Sequence, residues 1–411
     1  MKINILRFVT AVMFGVFFCA PSFSSTWDEV VSLTEKNNNE LAAAKKNYEV
    51  TEWQYKKTLT SFLPQLSVSA GYGKTETGTS GTTSASYGLS ATQSIFSGFG
   101  NLNSAKKAYA QMEYSRADLE QKRSDILYAV RSAFAELLIA ENDLKLQEQI
   151  LVRREENSKL ITLLYENGKE DKGNLMLTLA DVESSKSSVS QAKRNLELAK
   201  LKLSQLTGVE IEKAELTDTS VKMPEDQDIS RLSEISPSYT MARSTLDTAA
   251  IAANEALAGL LPDISASGSI RRAGSDWPPQ SESKSWSLNF SYSFFPGGSN
   301  IIEKIIKEAD REKAAQNFEQ SKKNILYSLR SAYDSLSTKI EALNVKELYL
   351  KASTERAKIA QRKYINGLMS YNDWDTIENS YISSEKELLS AKKDALISEA
   401  AWKNSYGGWI K

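Results

Sequence analysis

Residues 284–300 read KSWSLNFSYSFFPGGSN. Every second residue is large and apolar: Trp286, Leu288, Phe290, Tyr292 and Phe294. Between them stand Ser285, Ser287, Asn289, Ser291 and Ser293. Successive strand side chains point to opposite faces, so the alternation makes one bulky apolar face and one bare polar face. At Pro296-Gly297-Gly298 the pattern stops, and a long run of helix-forming residues follows.

Three other stretches share this texture. Leu66, Val68, Ala70 and Tyr72 alternate with Ser67, Ser69, Gly71 and Gly73. Tyr87, Leu89, Ala91 and Ile95 oppose Ser86, Gly88, Ser90, Thr92 and Ser94, and Ile264, Ala266, Gly268 and Ile270 oppose Ser265, Ser267, Ser269 and Arg271. Each runs for about 9–11 residues, the length of a tilted strand that crosses a membrane. Apolar-out, polar-in alternation is the mark of a transmembrane barrel. The competing reading is two hairpins over a soluble core. The polar faces are nearly all Ser, Thr and Gly, and no further strands exist to supply that core.

The four strands belong to two copies of one unit. Leu63-Pro64-Gln65 returns as Leu261-Pro262-Asp263, and Ser94-Ile95-Phe96-Ser97-Gly98 as Ser293-Phe294-Phe295-Pro296-Gly297. Tyr128 to Phe134 (YAVRSAF) returns as Tyr327 to Tyr333 (YSLRSAY), and Tyr165-Glu166-Asn167-Gly168 as Tyr364-Ile365-Asn366-Gly367. Self-similarity at one period marks a duplicated architecture. The expected first repeat covers 25–207, with a helix over 26–61, a hairpin 65–96 (strands 65–73 and 85–96), a long helix 101–166 and a helix 174–206. A linker 208–237 leads to the second repeat, 238–411, with a helix over 238–260, a hairpin 263–295 (strands 263–272 and 285–295), a long helix 300–365 and a helix 371–405. Leu-Pro ends each opening helix, because proline cannot continue it and restricts the residue before.

The long helices carry a seam: Val130, Ala133, Leu137, Ala140 and Leu144 in one, Leu329, Ala332, Leu336, Ile340 and Leu343 in the other. Steps of three and four are coiled-coil spacing. The remaining faces are Lys, Glu, Gln and Ser, which suits a thin wall of helices wetted on both sides rather than one globular core. Sixty-six residues make about 100 Å of helix.

Composition narrows the function. Of 411 residues, 51 are Lys or Arg and 52 are Asp or Glu, and there is no histidine. A chain without basic excess lacks the electrostatic footprint for nucleic acid. Lacking histidine and holding a single cysteine, Cys19, it offers no disulfide framework, no expected metal site and little for catalysis. No cofactor is expected. Residues 1–24 read as a signal peptide: Lys2 and Arg7, an apolar run from Phe8 to Cys19, then Ser22 and Ser24 at −3 and −1 of a cleavage site. Cys19 is then removed, a lipid-modified Cys19 being the alternative.

Four strands cannot close a barrel, for which about eight is the working minimum. Unpaired strand edges are not tolerated in hydrocarbon. The chain is therefore expected to oligomerise. Two copies make eight strands with a nearly filled interior. Three make twelve strands and twelve wall helices, and the small lumen residues favour the wider bore.

These features resemble the TolC-like outer-membrane efflux and secretion channels. The carriers are the duplication, the Leu-Pro step before each hairpin, the exits Phe96-Ser97-Gly98-Phe99-Gly100 and Phe295-Pro296-Gly297-Gly298, the Tyr-x-x-Gly turns, and the opening Thr26-Trp27-Asp28-Glu29 as a capping box. The resemblance implies a mostly α fold with transmembrane β, a homotrimer in the outer membrane of a Gram-negative bacterium, and a periplasmic helical tunnel. It also implies a periplasmic adaptor and an inner-membrane pump as partners in drug efflux or type I secretion. A non-conducting, periplasm-spanning scaffold is the alternative.

Expected working residues follow. Gly168, Lys169, Gly367 and Leu368 sit at helical tips, where glycine supplies a left-handed cap and family members meet the adaptor. Asp373 matches an acidic position at the tunnel's narrow end, with Asp375 beside it. A ring of such acids would favour cations, whereas Ser370 and Asp373 also have the spacing of a helix cap. Thr376 stands where a second aspartate is common, and Met369 where some members carry an arginine. Lipid-facing residues are Trp286, Leu288, Phe290, Tyr292, Phe294, Tyr72, Tyr87 and Leu89.

Overall fold

The computed structural model describes residues 24–25, 27–78, 80–210, 213–214, 221–224 and 228–409. The signal-peptide reading, Cys19, Thr26 and part of the 208–237 linker lie outside them. After β1 (Ser24–Ser25) come α1 (Trp27–Asn37) and α2 (Asn39–Leu59), then the hairpin β2 (Gln65–Thr77) and β3 (Ser80–Ser97). The long α3 (Gly100–Glu166) and α4 (Lys172–Thr207) complete the first repeat. β4 (Lys213–Ala214) runs parallel to β1. The second repeat contains α5 (Ile229–Ile235), α6 (Pro237–Glu255), β5 (Asp263–Gly274), β6 (Ser281–Ser291), α7 (Ser299–Ile365) and α8 (Tyr371–Ser405).

Both long helices hold 67 residues, about 100 Å each. The expected seam is where they pack. Val130, Ala133 and Leu137 are fully buried with Val30, Leu41, Phe134 and Leu203. Leu329 and Leu336 are buried against Trp402. The molecule thus has several small cores strung along a shaft.

Three details outside the ladder of the sheet's apolar band depart from the sequence expectation. The opening helix is not continuous through 26–61. Asn38 interrupts it, its Oδ1 accepting the Leu41 amide at 2.8 Å and its Nδ2 donating to the Leu206 carbonyl at 2.8 Å. One side chain so starts α2 and ties it to the end of α4. The Gly/Thr/Ser-rich stretch 74–84, expected as a loop, is mostly strand, because polar residues pair as well as apolar ones above an apolar band. Thirdly, the stretch 208–237, expected as a linker, holds α5 of the second repeat, which packs Ile229 and Leu232 beside Leu329 and Trp402.

The sheet order is β2-β3-β5-β6, antiparallel throughout. Among the described residues, each outer strand has one edge without a partner. β6 ends at Ser291, paired with Asp263, earlier than the expected 295. Its neighbour β5 begins at Asp263 directly after Pro262, which has no amide to donate, so Tyr292 and Phe294 lie past the last ladder pair. A register shift between Ser94 and Phe96 sets Phe96 opposite Ile264. Ile95 is the extra residue of this bulge, a local slip that alternation alone cannot reveal.

Strand passes to helix through left-handed backbone, Gly98 (φ 58°) and Phe99 (φ 69°) in one repeat, Gly297 (φ 68°) and Gly298 (φ 82°) in the other. The copies are not equivalent. A Cβ at Gly98 would stand 2.6 Å from the Ala258 carbonyl oxygen, whereas at Gly297 nothing lies within 4 Å. Gly297→Ala should therefore cost only the left-handed penalty, about 1–2 kcal/mol. Gly98→Ala adds a backbone collision between the repeats and should fall well below it in folded yield and melting temperature.

Candidate functional site at the sheet faces and helical ends

One face of the sheet is apolar and uncovered. Trp286 is 86% exposed, Val68 80% and Leu66 71%, with Tyr72, Leu288 and Phe290 alongside them. Leu89 is also exposed, and Tyr87 leans on Trp277 with ring centroids 5.7 Å apart. The opposite face is tied by hydroxyl pairs: Ser67 to Ser90 at 2.7 Å, Ser267 to Ser287 at 2.8 Å, and Ser269 to Ser285 at 2.9 Å. A soluble sheet covers such an apolar face with other elements. Among the described residues none covers it.

At the far end of the shaft both turns are complete Schellman caps. The amides of Gly168 and Lys169 donate to the Tyr165 and Leu164 carbonyls at 2.9 and 2.8 Å. Those of Gly367 and Leu368 donate to Tyr364 and Lys363 at the same distances. Left-handed φ of 69° and 71° at the two glycines is what this motif demands. All four tip residues are exposed, Leu368 by 75%.

Between the tips lies an aromatic cluster that the sequence did not single out. Tyr364 stacks on Trp374 at 4.6 Å with planes 6° apart, and Tyr371 meets both edge-on. Ile161 and Ala360 complete the packing. The Tyr364 hydroxyl donates to Glu170 at 2.8 Å, and Tyr371 shares a hydrogen bond with Thr178 at 2.8 Å. These contacts join the second repeat's turn to the first. Burial, then the Glu170 hydrogen bond, raises the Tyr364 pKa above an ordinary tyrosine's.

Asp373 is exposed and takes part in the cap of α8. The Ser370 hydroxyl accepts the Asp373 amide at 3.2 Å and donates to its carboxylate at 2.7 Å. Asp375 has a different setting. It is mostly covered and paired with Arg154 at 3.1 Å. Arg154, itself 9% exposed, also reaches Asp181 on α4 at 3.3 Å and donates to Asn379. The preceding Arg153 pairs with Glu385 and lies over the Tyr381 ring at 4.6 Å. Two adjacent arginines of α3 therefore grip α8. Arg154 is 12 residues from the end of α3, about 18 Å. No motif marks these arginines, since charges on a long helix usually face solvent.

Buried Glu378 sits in the same cluster. Burial raises its pKa, against the pull of Arg153 and Arg154, and burial likewise raises that of Asp181 against Arg154. Among the described residues no group of acids could hold a metal ion, and no helix is long and apolar enough to cross a membrane.

The family model for outer membrane efflux proteins matches residues 30–209 and again 229–408, the two repeats. The chain belongs to the outer membrane efflux protein family. Its fold is similar to that of VceC from Vibrio cholerae, with a TM-score of 0.82 at 17% identity over 93% of this chain and 96% of that one. It is also similar to the open-state MtrE outer membrane channel of Neisseria gonorrhoeae (0.83, 19%, 94% and 89%) and to the CmeC outer membrane channel of Campylobacter jejuni (0.82, 18%, 93% and 85%). No curated protein sequence matches the chain.

The charge cluster generates a pH prediction. A carboxylate whose folded pKa is raised binds its proton more readily when folded, so stability is gained below the ordinary carboxylate pKa and lost as pH rises through the raised value. Glu378→Gln should therefore raise the melting temperature at pH 7.5 and shrink the difference between pH 5 and pH 7.5. Melts of both proteins at the two pH values would show it.

Proposed function

We propose that the chain forms a homotrimer, twelve strands closing a barrel in the outer membrane and twelve helical wall elements forming a periplasmic duct. It serves as the passive exit of a tripartite export system. The observation that carries this reading is the sheet itself: apolar and bare on one side, serine-lined on the other, and unpaired at β2 and β6. With order β2-β3-β5-β6, β6 of one copy runs antiparallel to β2 of the next, so copies add without a break in alternation. A closed ring satisfies edges that would each cost several kcal/mol per unpaired group in hydrocarbon.

At the other end, the exposed Gly168, Lys169, Gly367 and Leu368 form the surface for a periplasmic adaptor, beyond which stands an inner-membrane pump. Asp373 is free enough to line the bore as well as cap α8. Arg154 and Asp375 instead fasten the two helical pairs of one protomer, and opening the duct at that level must part them. Removing one partner of a buried pair strands the other charge, typically at a cost of about 3–5 kcal/mol.

Purified protein should run on gels as a heat-modifiable band near three times 45.7 kDa and conduct ions in planar bilayers. Arg154→Ala should raise conductance, and Asp373→Asn should weaken cation preference. A monomeric, water-soluble product would sink the barrel, and a trimer that carries no current, even as Arg154→Ala, would identify a scaffold.

A further inference from the structure

The polar face of the sheet contains an anomaly. Its described residues are Ser, Thr, Gly, Ala, Gln and Asn, with two exceptions: Asp263 at the helical junction and Arg271. Arg271 is eight residues along β5 from Asp263 and three short of the strand's end at Gly274. At 3.3–3.4 Å per residue this places it about 27 Å from the junction, near the loop end. It pairs with Gly88 on one side and Ser283 on the other.

The surroundings leave the guanidinium available. No carboxylate among the described residues lies within ion-pair distance of it, whereas Arg272, on the apolar face, pairs with Glu282 at 2.8 Å. Arg271 makes one side-chain hydrogen bond, its Nη2 donating to Ser86 Oγ at 3.1 Å. A guanidinium has five N–H donors in a fork that matches oxyanions, so most of its capacity faces water. Gly88 keeps the ground beside it clear: a Cβ there would stand 3.3 Å from the Arg271 Cβ and 2.9 Å from the Ile270 carbonyl oxygen.

We propose that three Arg271 side chains form a cationic collar near the loop end of the lumen, a binding site for multivalent oxyanions such as phosphate- or carboxylate-bearing solutes. The proposal rests on the trimeric barrel proposed above. Twelve strands about 4.8 Å apart and tilted by about 40° enclose a ring about 24 Å across between backbones. Side chains reaching inward bring three charges to within about 10 Å of one another. That is close to the Debye length of about 8 Å at physiological salt and well above the roughly 3 Å at 1 M. Three charges then act together on one anion in dilute salt and are screened in concentrated salt.

The test is block of single-channel current by inorganic tripolyphosphate, added to each side of the bilayer in turn in 50 mM potassium chloride. Wild-type protein should be blocked from the loop side. In Arg271→Ser, and in wild type at 1 M salt, block should need at least about tenfold more tripolyphosphate. Arg271→Lys should retain block in part. Serine matches the neighbouring residues of this face, and the heat-modifiable band verifies assembly of each variant. Equal block of wild type and Arg271→Ser overturns the collar while leaving the duct intact. Absence of any current from both the wild type and Arg154→Ala overturns the duct, and the collar with it.

Discussion

Unpaired backbone along the outer edges of β2 and β6 is the constraint on which the rest of the molecule turns. Four antiparallel strands with one bare apolar face have two places to satisfy those edges: water or further strands. The apolar face excludes water on one side, and the serine face excludes a packed core on the other. An even number of strands per chain lets copies join edge to edge in antiparallel register. Helices must then leave the sheet at one end only, and the left-handed turns at Gly98-Phe99 and Gly297-Gly298 send both long helices that way.

Duplication made two similar halves that tertiary contacts have since separated. Tyr165 and Tyr364 occupy the same place in the Tyr-x-x-Gly turns, yet Tyr165 is exposed and Tyr364 is buried under Trp374 and bonded to Glu170. Gly98 is pressed against Ala258 while Gly297 stands in open space. In each case the first copy's strand exit or turn meets a surface of the second, and the second copy's counterpart faces outward or the reverse. A duct wall built from two repeats needs unlike edges, because each must fit a different neighbour.

The helical ends combine two kinds of glue. Aromatic stacking around Trp374 is insensitive to salt and holds the turns together. The cluster above it sets Arg153 and Arg154 among four carboxylates, Asp181, Asp375, Glu378 and Glu385, in a partly dry setting, where loss of either arginine leaves its partners uncompensated. For the opening proposed at this level, contacts that can exchange partners suit better than apolar packing, which separates only by exposing surface.

Much of the fold could be read from residues alone, for reasons of periodicity. Alternation marked four strands, Leu-Pro marked the starts of β2 and β5, and three-four spacing marked the seam of α3 and α7, whereas β2 runs four residues past its expected end, β3 begins five residues early and β6 lies four residues earlier at both ends. Gly168 and Gly367 were legible as caps because only one backbone conformation fits the turn. The helical interruption at Asn38, the bulge at Ile95 and the early end of β6 were not, since each depends on a partner distant in sequence. Asp375 illustrates the limit at the candidate site: its chemistry and position were visible, but Arg154, 221 residues away, decides that it serves as an ion-pair partner. Local sequence sets which way a side chain points along its own element; which other element it meets is a property of the packed chain.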